Sequence, residues 1–320
     1  MRSKILGVVA ALFLAGCHGA PGASVLPGSF DAAAQAPAVA APKIFVAVPD
    51  LSSPQSPKGS RLLEFGANAS GNVAPSLRVP GFVSVANANR QREFLASRQI
   101  GQHMETGIYS SQGVLLRAVP SGNGLFVGMD ARRNSFFVKP DGTQSPYAPC
   151  NFAGGVTLTE YAAGNESRPL RSLELGTQCV IPAVAFDGLG RTYVAQELWD
   201  ERGLVTTTIA VYPAGASGST KPIRTIGVPV DGDGAGYGIY QLAGDASGNL
   251  FMNCYGGLYE YPQGRRPWQR VLPRSVAVAS FALDSHDNVY ALVLDSYKGK
   301  NPSFTFTLTI QEFARGSTTP

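Results

Sequence analysis

Short apolar runs separated by glycine, proline and polar residues recur along most of the chain. The runs are rich in β-branched and aromatic residues, a composition typical of strands, and Lys43–Val48 is the first of them. No long stretch keeps the period of about 3.6 residues that an amphipathic helix requires. The pattern therefore predicts an all-β fold that begins near residue 43 and continues to residue 320.

One kind of apolar run returns at a nearly constant interval. Runs that end on an aromatic residue are LLEF, TLTEY, IAVY, GLYEY and TIQEF, with last residues Phe65, Tyr161, Tyr212, Tyr261 and Phe313. The last three intervals are 51, 49 and 52 residues, and the first interval of 96 residues is nearly twice as long. Repeats of roughly this length are single four-stranded units in β-propellers. The spacing predicts a β-propeller, with six blades favoured and five as the alternative.

A second pattern follows the first in three of these units. Its copies are AVAFD-GLG-RTYVAQ, QLAGD-ASG-NLFMN and SFALD-SHD-NVYAL, each an apolar strand, an aspartate, three residues and another strand. This pattern indicates a hairpin whose three-residue loop has a left-handed last position. Glycine adopts that conformation without strain, and aspartate tolerates it better than most residues. Positive φ angles are therefore predicted at Gly190, Gly248 and Asp287.

Together the two patterns resemble the repeat of NHL-like bacterial β-propellers, which often carries YPAGASG and PIRTI followed by D-x-x-G-N-L-Y-V. The resemblance is good over about 155–320 and over 43–80, and poor over 81–154. It implies a fold but no single activity. For the 96-residue interval between Phe65 and Tyr161 we expect two degenerate blades or one blade with an insertion. We also expect residues 304–314 to share a sheet with Lys43–Val48 and so close the ring.

The N-terminus has the features of a secretory signal. Arg2 and Lys4 precede an apolar run, residues 5–13, which is too short to span a bilayer. The next four residues, LAGC, resemble the lipobox of bacterial lipoproteins and end at Cys17. The resemblance implies that residues 1–16 are removed and that Cys17 becomes the acylated N-terminus.

Acylation would anchor the protein to a membrane, because several acyl chains bury enough methylene groups for stable attachment. His18 follows the cysteine, where aspartate would favour the inner membrane, so the resemblance favours the bacterial outer membrane. Residues 17–42 are rich in alanine and proline and almost without charge, which predicts a flexible tether. Residues 43–320 would then form the propeller domain.

The charge balance argues against nucleic acid as a partner. The 26 basic and 22 acidic residues give a net charge of +4, and two of the basic residues leave with the signal. The remaining 24 basic and 22 acidic residues are nearly balanced, which does not favour nucleic acid, because its binding usually needs a clustered basic face.

Three cysteines remain after Cys17, an odd number for an oxidising compartment. Cys150 and Cys179 flank one hairpin region and are the candidate disulfide. The alternative is that both, together with Cys254, are buried thiols.

Asp231 and Asp233 occupy the first and third positions of a sequence that resembles the start of a calcium loop. Ala235 and Leu242 stand where an EF-hand requires oxygen ligands, so an EF-hand is excluded. Asp231 and Asp233 remain candidates for a looser calcium site, and the alternative is a glycine-rich loop between blades. No other metal or cofactor is expected.

Motifs for nucleophilic hydrolysis, zinc proteolysis and phosphate binding do not occur in the sequence. His103 and Glu105 are close together in the region of poor resemblance, but two groups are a weak basis for catalysis. The basic and aromatic segment that ends at Trp268 is interpreted as a solvated blade corner, and a carbohydrate or anionic surface is the alternative contact. Arg132 and Arg133 are interpreted in the same way.

The sequence thus favours a non-enzymatic binding or scaffold module on the cell envelope, with a protein or carbohydrate as its ligand. A propeller presents a wide rigid face of loops, and loops carry much of protein recognition. The alternative is a propeller hydrolase or lyase that acts on an extracellular sugar, lactone or peptide.

Replacing Cys17 by serine is expected to abolish incorporation of labelled palmitate and to release the protein from the membrane fraction, because the thiol is the acylation site. The Cys254→Ser variant is the matched control and should keep both properties. Membrane retention of a protein without label in the Cys17→Ser variant would contradict lipid anchoring.

Overall fold

A computed structural model describes most of the chain. The described residues are 11–14, 43–48, 61–66, 74–88, 94–100, 103–110, 112–119, 125–130, 134–140, 155–162, 164–175, 183–200, 203–228, 239–254, 257–263, 267–273, 276–283, 287–296 and 306–317. None of these residues is helical, so no helix long and apolar enough to cross a membrane occurs among them.

The described strands form antiparallel sheets in chain order. The strands of the first two sheets are β1 (Ala11–Leu14), β2 (Lys43–Val48), β3 (Arg61–Gly66), β4 (Leu77–Pro80), β5 (Phe82–Ala88), β6 (Phe94–Ile100), β7 (His103–Tyr109) and β8 (Leu115–Ala118). Those of the third and fourth are β9 (Leu125–Met129), β10 (Ser135–Pro140), β11 (Val156–Ala162), β12 (Asn165–Glu174), β13 (Val184–Phe186), β14 (Thr192–Asp200), β15 (Gly203–Tyr212) and β16 (Arg224–Gly227). Those of the fifth and sixth are β17 (Ile239–Gly244), β18 (Leu250–Cys254), β19 (Gly257–Tyr261), β20 (Gln269–Arg270), β21 (Ala277–Leu283), β22 (Val289–Ser296) and β23 (Phe306–Phe313).

The first strands of the sheets meet around a common centre. β1 contacts β5, β5 contacts β9, β9 contacts β13, β13 contacts β17, β17 contacts β21, and β21 contacts β1. A cycle of antiparallel sheets that touch through their first strands is a β-propeller. The predicted fold class is therefore confirmed. Within the described residues the strands group into six sheets, of which the sixth has three strands.

The predicted closure of the ring is wrong. β23 pairs with β22, where Phe313 lies opposite Val289, and β2 pairs with β1 and β3. Within the predicted segment 304–314, the described strand Phe306–Phe313 therefore lies in a different sheet from Lys43–Val48. The physical reason is that Ala11–Leu14 occupies the inner side of β2 and brings the first sheet against β21.

The 96-residue interval between Phe65 and Tyr161 contains an additional sheet, not an insertion in one blade. Tyr109 ends β7 and is fully buried, as Tyr161, Tyr212, Tyr261 and Phe313 are buried at or near the ends of the third strands of their sheets. β5–β8 form the second sheet, and β9 and β10 begin the third.

The core lies between neighbouring sheets because each sheet is apolar on both faces. All five residues of β18 are buried. Met252 packs with Tyr193 in the cluster between the fourth and fifth sheets, whereas Phe251 packs with Phe281 in the cluster between the fifth and sixth. Adjacent residues of one strand point to opposite faces, so both faces of this strand are buried, and Asn253 is the one polar residue among the five.

The fourth and fifth sheets approach so closely that glycine is required at two positions. A Cβ atom on Gly188 would lie 2.4 Å from the carbonyl oxygen of Ala246, and one on Gly244 would lie 2.5 Å from that of Phe186. The amide of Gly188 donates to the carbonyl oxygen of Asp245 at 3.0 Å. A backbone hydrogen bond thus joins the two sheets where side chains are excluded.

A loop of the fourth sheet covers the outer edge of the third. Gly218 forms a parallel bridge with Leu173 of β12. Its amide donates to Ser172 O at 2.7 Å, and its carbonyl oxygen accepts from Glu174 N at 2.8 Å. The glycine-rich sequence AGASGS therefore satisfies backbone groups that an exposed edge strand would offer to other chains.

The Gly188→Ala variant is expected to lower the free energy of unfolding by about 1–3 kcal/mol, because its methyl group must push the two sheets apart. Chemical denaturation is the measurement. Gly227→Ala is the matched control, since a Cβ atom there meets nothing within 4 Å. Equal stability of the two variants would contradict a rigid backbone contact between the sheets.

Candidate functional site

The loops that join the first and second strands of the third to sixth sheets lie at one end of the ring, which we call the turn face. We define it by the aspartates of these loops, Asp130, Asp187, Asp245 and Asp287. The φ angles are 76° at Gly190, 85° at Gly248 and 62° at Asp287, in agreement with the predicted left-handed positions. Asp287 is the one residue other than glycine with positive φ among the described residues.

Asp187 shows how an aspartate holds such a loop. Its Oδ1 accepts from Leu189 N at 3.0 Å and from Arg191 N at 2.9 Å. Its Oδ2 accepts from Arg191 Nε at 2.6 Å and from the hydroxyl of Tyr193 at 2.9 Å. Burial and the nearby Asp187 carboxylate raise the pKa of Tyr193, so this hydroxyl remains a donor. All four hydrogen bonds join Asp187 to residues of the same hairpin and therefore stabilise its loop.

The same arrangement recurs in two neighbouring sheets. Asp245 accepts from Asn249 N at 2.7 Å and from Asn249 Nδ2 at 2.6 Å. Asp130 accepts from Asn134 N at 2.9 Å and from Asn134 Nδ2 at 3.2 Å. The copy at Asp130 was not identified in the sequence, although its spacing of aspartate and asparagine is the same as at Asp245.

The fifth and sixth sheets are joined at the turn face by an arginine. Arg315 Nη1 donates to Asp287 Oδ2 at 2.7 Å, and its Nη2 lies 3.9 Å from Asp245 Oδ2. Its backbone amide donates to Asn288 Oδ1 at 3.3 Å. About half of the Arg315 side chain is exposed, so the guanidinium is reachable from solvent at this seam.

Glu260, next to the last residue of β19, lies within electrostatic range of this group of charges. Burial raises the pKa of its carboxyl most strongly, and the negative charge of Asp245 raises it further. Arg315 opposes these effects, and Asp287 adds a smaller upward contribution. A carboxylic acid that keeps its proton to a higher pH can act as a general acid. Glu260 with Asp245, Asp287 and Arg315 is therefore the candidate functional site.

Glu160 occupies the same strand position in the third sheet and has a different environment. Its Oε1 accepts from Asn134 Nδ2 at 2.6 Å, and its Oε2 is paired with Arg171 Nε. Both oxygens are thus bound within one sheet, which indicates a structural role. Among the described residues, no group of three or more histidine, cysteine, aspartate or glutamate side chains is placed to hold a metal ion.

Several predicted site residues lie outside the described part of the chain, so their predictions stay open. They are Cys17, Cys150, Cys179, Asp231, Asp233, Arg132 and Arg133. Cys254 is described and is buried, and its thiol donates to the carbonyl oxygen of Gly257 at 3.7 Å.

Trp268 is a packing residue, contrary to the interpretation of its segment as a solvated corner. Its indole N–H donates to Gly227 O at 2.7 Å, and its ring contacts that of Tyr261 edge-on with centroids 5.1 Å apart. Gly227 belongs to the fourth sheet, so the indole joins two sheets. Trp268 is therefore not an exposed platform for a sugar.

Glu105 is also bound within its own sheet. Its Oε2 accepts from the hydroxyl of Tyr109 at 3.1 Å. Burial raises the pKa of Tyr109, with a smaller effect from the Glu105 carboxylate, so the phenol remains the donor. His103 begins the same strand, β7, and its side chain lies outside the described part of the structure.

Large apolar side chains are exposed on three consecutive sheets. We call Val114, Leu116, Leu170 and Ile223 the apolar outer surface; their exposed fractions are 60%, 51%, 57% and 59%. They lie on or next to the fourth strands β8, β12 and β16, at the circumference of the ring. Exposed apolar side chains on the outer strands of adjacent sheets are candidates for an interaction surface.

No family model matches the chain, and no curated protein matches it. Among solved structures it is similar to the β-propeller domain of the Trilobed protease from Pyrococcus furiosus, with 11% identity, a TM-score of 0.45, and coverage of 87% of this chain and 81% of that one. It is also similar to a gluconolactonase from Xanthomonas campestris, with 15% identity, a TM-score of 0.48 and 78% coverage of each chain. A third similar structure is the calcium-binding protein regucalcin from Agrobacterium tumefaciens, with 12% identity, a TM-score of 0.42, and coverage of 87% and 89%. The fold assignment rests on strand order and on the ring of contacts, not on these likenesses.

The Glu260→Gln variant is expected to be more stable relative to the wild type at pH 7 than at pH 4. An acid whose pKa is raised by folding binds its proton more tightly when folded, so stability falls as the pH rises above the ordinary value for glutamate. Denaturant titrations at both pH values give the difference. Glu312→Gln, at the same strand position in the sixth sheet but exposed, is the matched control. A gain at pH 7 that is no larger than at pH 4 would contradict the burial of an acid among carboxylates.

Proposed function

We propose that the chain is an NHL-like lipoprotein of the bacterial outer membrane whose propeller is a non-enzymatic binding module. In this proposal the leader is removed, Cys17 carries the lipid and residues 17–42 form the tether. The lipid and the tether would keep the propeller near the membrane, where its outer surface is accessible to other envelope components.

The observation that carries the binding role is the apolar outer surface. A folded domain normally leaves such side chains exposed singly, and neighbouring exposures on one side of a molecule are typical of interaction sites. Val114 and Leu116 come from the second sheet, Leu170 from the third and Ile223 from the fourth. The exposed apolar side chains are thus distributed over the outer strands of three adjacent sheets.

The polar residues beside this surface suggest what it contacts. Exposed cations accompany the apolar residues in all three sheets, with Arg117 in β8, Arg168 in β12 and Lys221 before β16. Charges at the border of an apolar contact area select partners and speed association more than they add affinity. The partner supported best is therefore a protein with an apolar patch bordered by acidic residues.

Site-specific photo-crosslinking in intact cells tests this role. A photoreactive residue at Leu116 or Leu170 is expected to give the same defined adduct, because both positions face one partner. Gln269 and Glu312 are exposed on the fifth and sixth sheets and are the matched control positions. The proposal fails if no adduct forms at Leu116 and Leu170, or if the control positions give the same adduct with equal yield.

Glu260 supports a second candidate, the hydrolase or lyase. An acid with a raised pKa beside two carboxylates and an exposed guanidinium has the groups for proton transfer and for holding an anionic or carbonyl oxygen. Assays against sugar, lactone and peptide substrates test this role. Any activity is expected to fall at least about 100-fold in Glu260→Gln and to persist in Glu312→Gln. Activity that is unchanged in Glu260→Gln would exclude this site.

A further inference from the structure

The innermost strand of the first sheet comes from a segment far from the rest of that sheet in the sequence. β1 pairs with β2 in an antiparallel register that places Ala11 opposite Ala47, Leu12 opposite Val46, Phe13 opposite Phe45 and Leu14 opposite Ile44. In the other sheets the first strand is followed closely by the second. In the first sheet, residues 15–42 separate the two strands.

β1 also makes the junction between the two ends of the ring. It contacts β21 and β22 of the sixth sheet on one side and β5 of the second sheet on the other. The strand position on the inner side of β2 therefore lies between the second and sixth sheets, which contact the strand that occupies it.

Ala11–Leu14 belongs to the secretory signal, residues 1–16, which is cleaved off according to the proposed function. Removal of residues 1–16 would leave the backbone N–H and C=O groups on the inner side of β2 without the strand that pairs with them. Backbone groups at a buried edge require partners, and an extended segment supplies them by strand addition. The mature protein thus needs a replacement for β1.

The tether is a poor replacement by composition. Residues 18–42 contain Pro21, Pro27, Pro37 and Pro42, and most of the rest are alanine and glycine. Proline cannot donate to a sheet, and alanine and glycine are depleted in strands. The strand observed at this position is ALFL, which is apolar and free of proline and glycine.

We propose that the inner side of β2 in the mature protein is a strand-addition site for an extended apolar segment of another polypeptide. The segment binds antiparallel to Lys43–Val48 in the register of Ala11–Leu14 and restores the contacts with β21 and β5. Its required chemistry is a run of at least four residues with apolar side chains and no proline. This inference rests on the removal of the leader in the proposed function and names a second binding site, separate from the apolar outer surface.

Mature protein purified from the envelope in detergent, with its N-terminus established by mass, is the material for the test. The probe is a synthetic peptide with residues 9–16, VAALFLAG, between pairs of lysines. The peptide is expected to bind saturably and to slow amide exchange in residues 43–48 at least about tenfold at concentrations well above its Kd. A peptide with proline in place of Phe13 is the matched control and should produce neither effect.

The unprocessed precursor, which retains residues 1–16, is the second control, because its own Ala11–Leu14 fills the position. Equal binding to the precursor and to the mature protein would overturn the proposal, since the peptide would then bind elsewhere. Binding that appears only after deletion of residues 18–42 would also overturn it and would identify the tether as the occupant. The proposal is also overturned if the native protein begins at Met1, or if the peptide does not bind the mature protein. These outcomes are independent of the crosslinks at Leu116, so failure of one site is distinguishable from failure of the other.

Discussion

The ring depends on the hydrogen bonds that an aspartate accepts in the loop between the first and second strands of a sheet. Asp187 and Asp245 each bind a backbone amide and a side chain four residues later, which fixes where the second strand begins. That fixed start places the Gly188 amide against the carbonyl oxygen of Asp245 in the next sheet. Burying the carboxylate without these donors would cost much free energy. The loop conformation and the contact between the two sheets therefore stabilise each other.

The parts of the fold that sequence could predict are those encoded locally. Aromatic strand ends and aspartate loops repeat because every sheet needs the same turn and the same core position, and their spacing is enough to identify a propeller. Tyr109 and Asp130 belong to the same patterns but stand among less regular neighbours, so those copies were missed. The closure of the ring could not be predicted, since the position of Ala11–Leu14 beside Lys43–Val48 depends on a contact across 28 intervening residues.

The candidate site was invisible in sequence for a related reason. Glu260 is one of several glutamates that precede an aromatic strand end, and nothing local separates it from Glu160. Their environments differ because Arg171 lies in the same sheet as Glu160, whereas the charges around Glu260 come from loops of two sheets. Trp268 shows the converse, since a residue that looks exposed in sequence is held by Gly227 of the preceding sheet.

The side-chain amide of Gln241 joins the fifth sheet to the backbone of the sixth. Its Nε2 donates to Phe281 O at 2.7 Å, and its Oε1 accepts from Phe281 N at 3.0 Å and from Ser280 Oγ at 2.9 Å. Between the fourth and fifth sheets, the corresponding join is a carboxylate, with Glu197 Oε1 accepting from Ile239 N at 2.9 Å. A sheet placed beside the wrong neighbour would bury these groups without partners, at a cost of about 1–3 kcal/mol for each. These side-chain-to-backbone hydrogen bonds therefore disfavour contacts between mismatched sheets, such as those of a domain-swapped assembly.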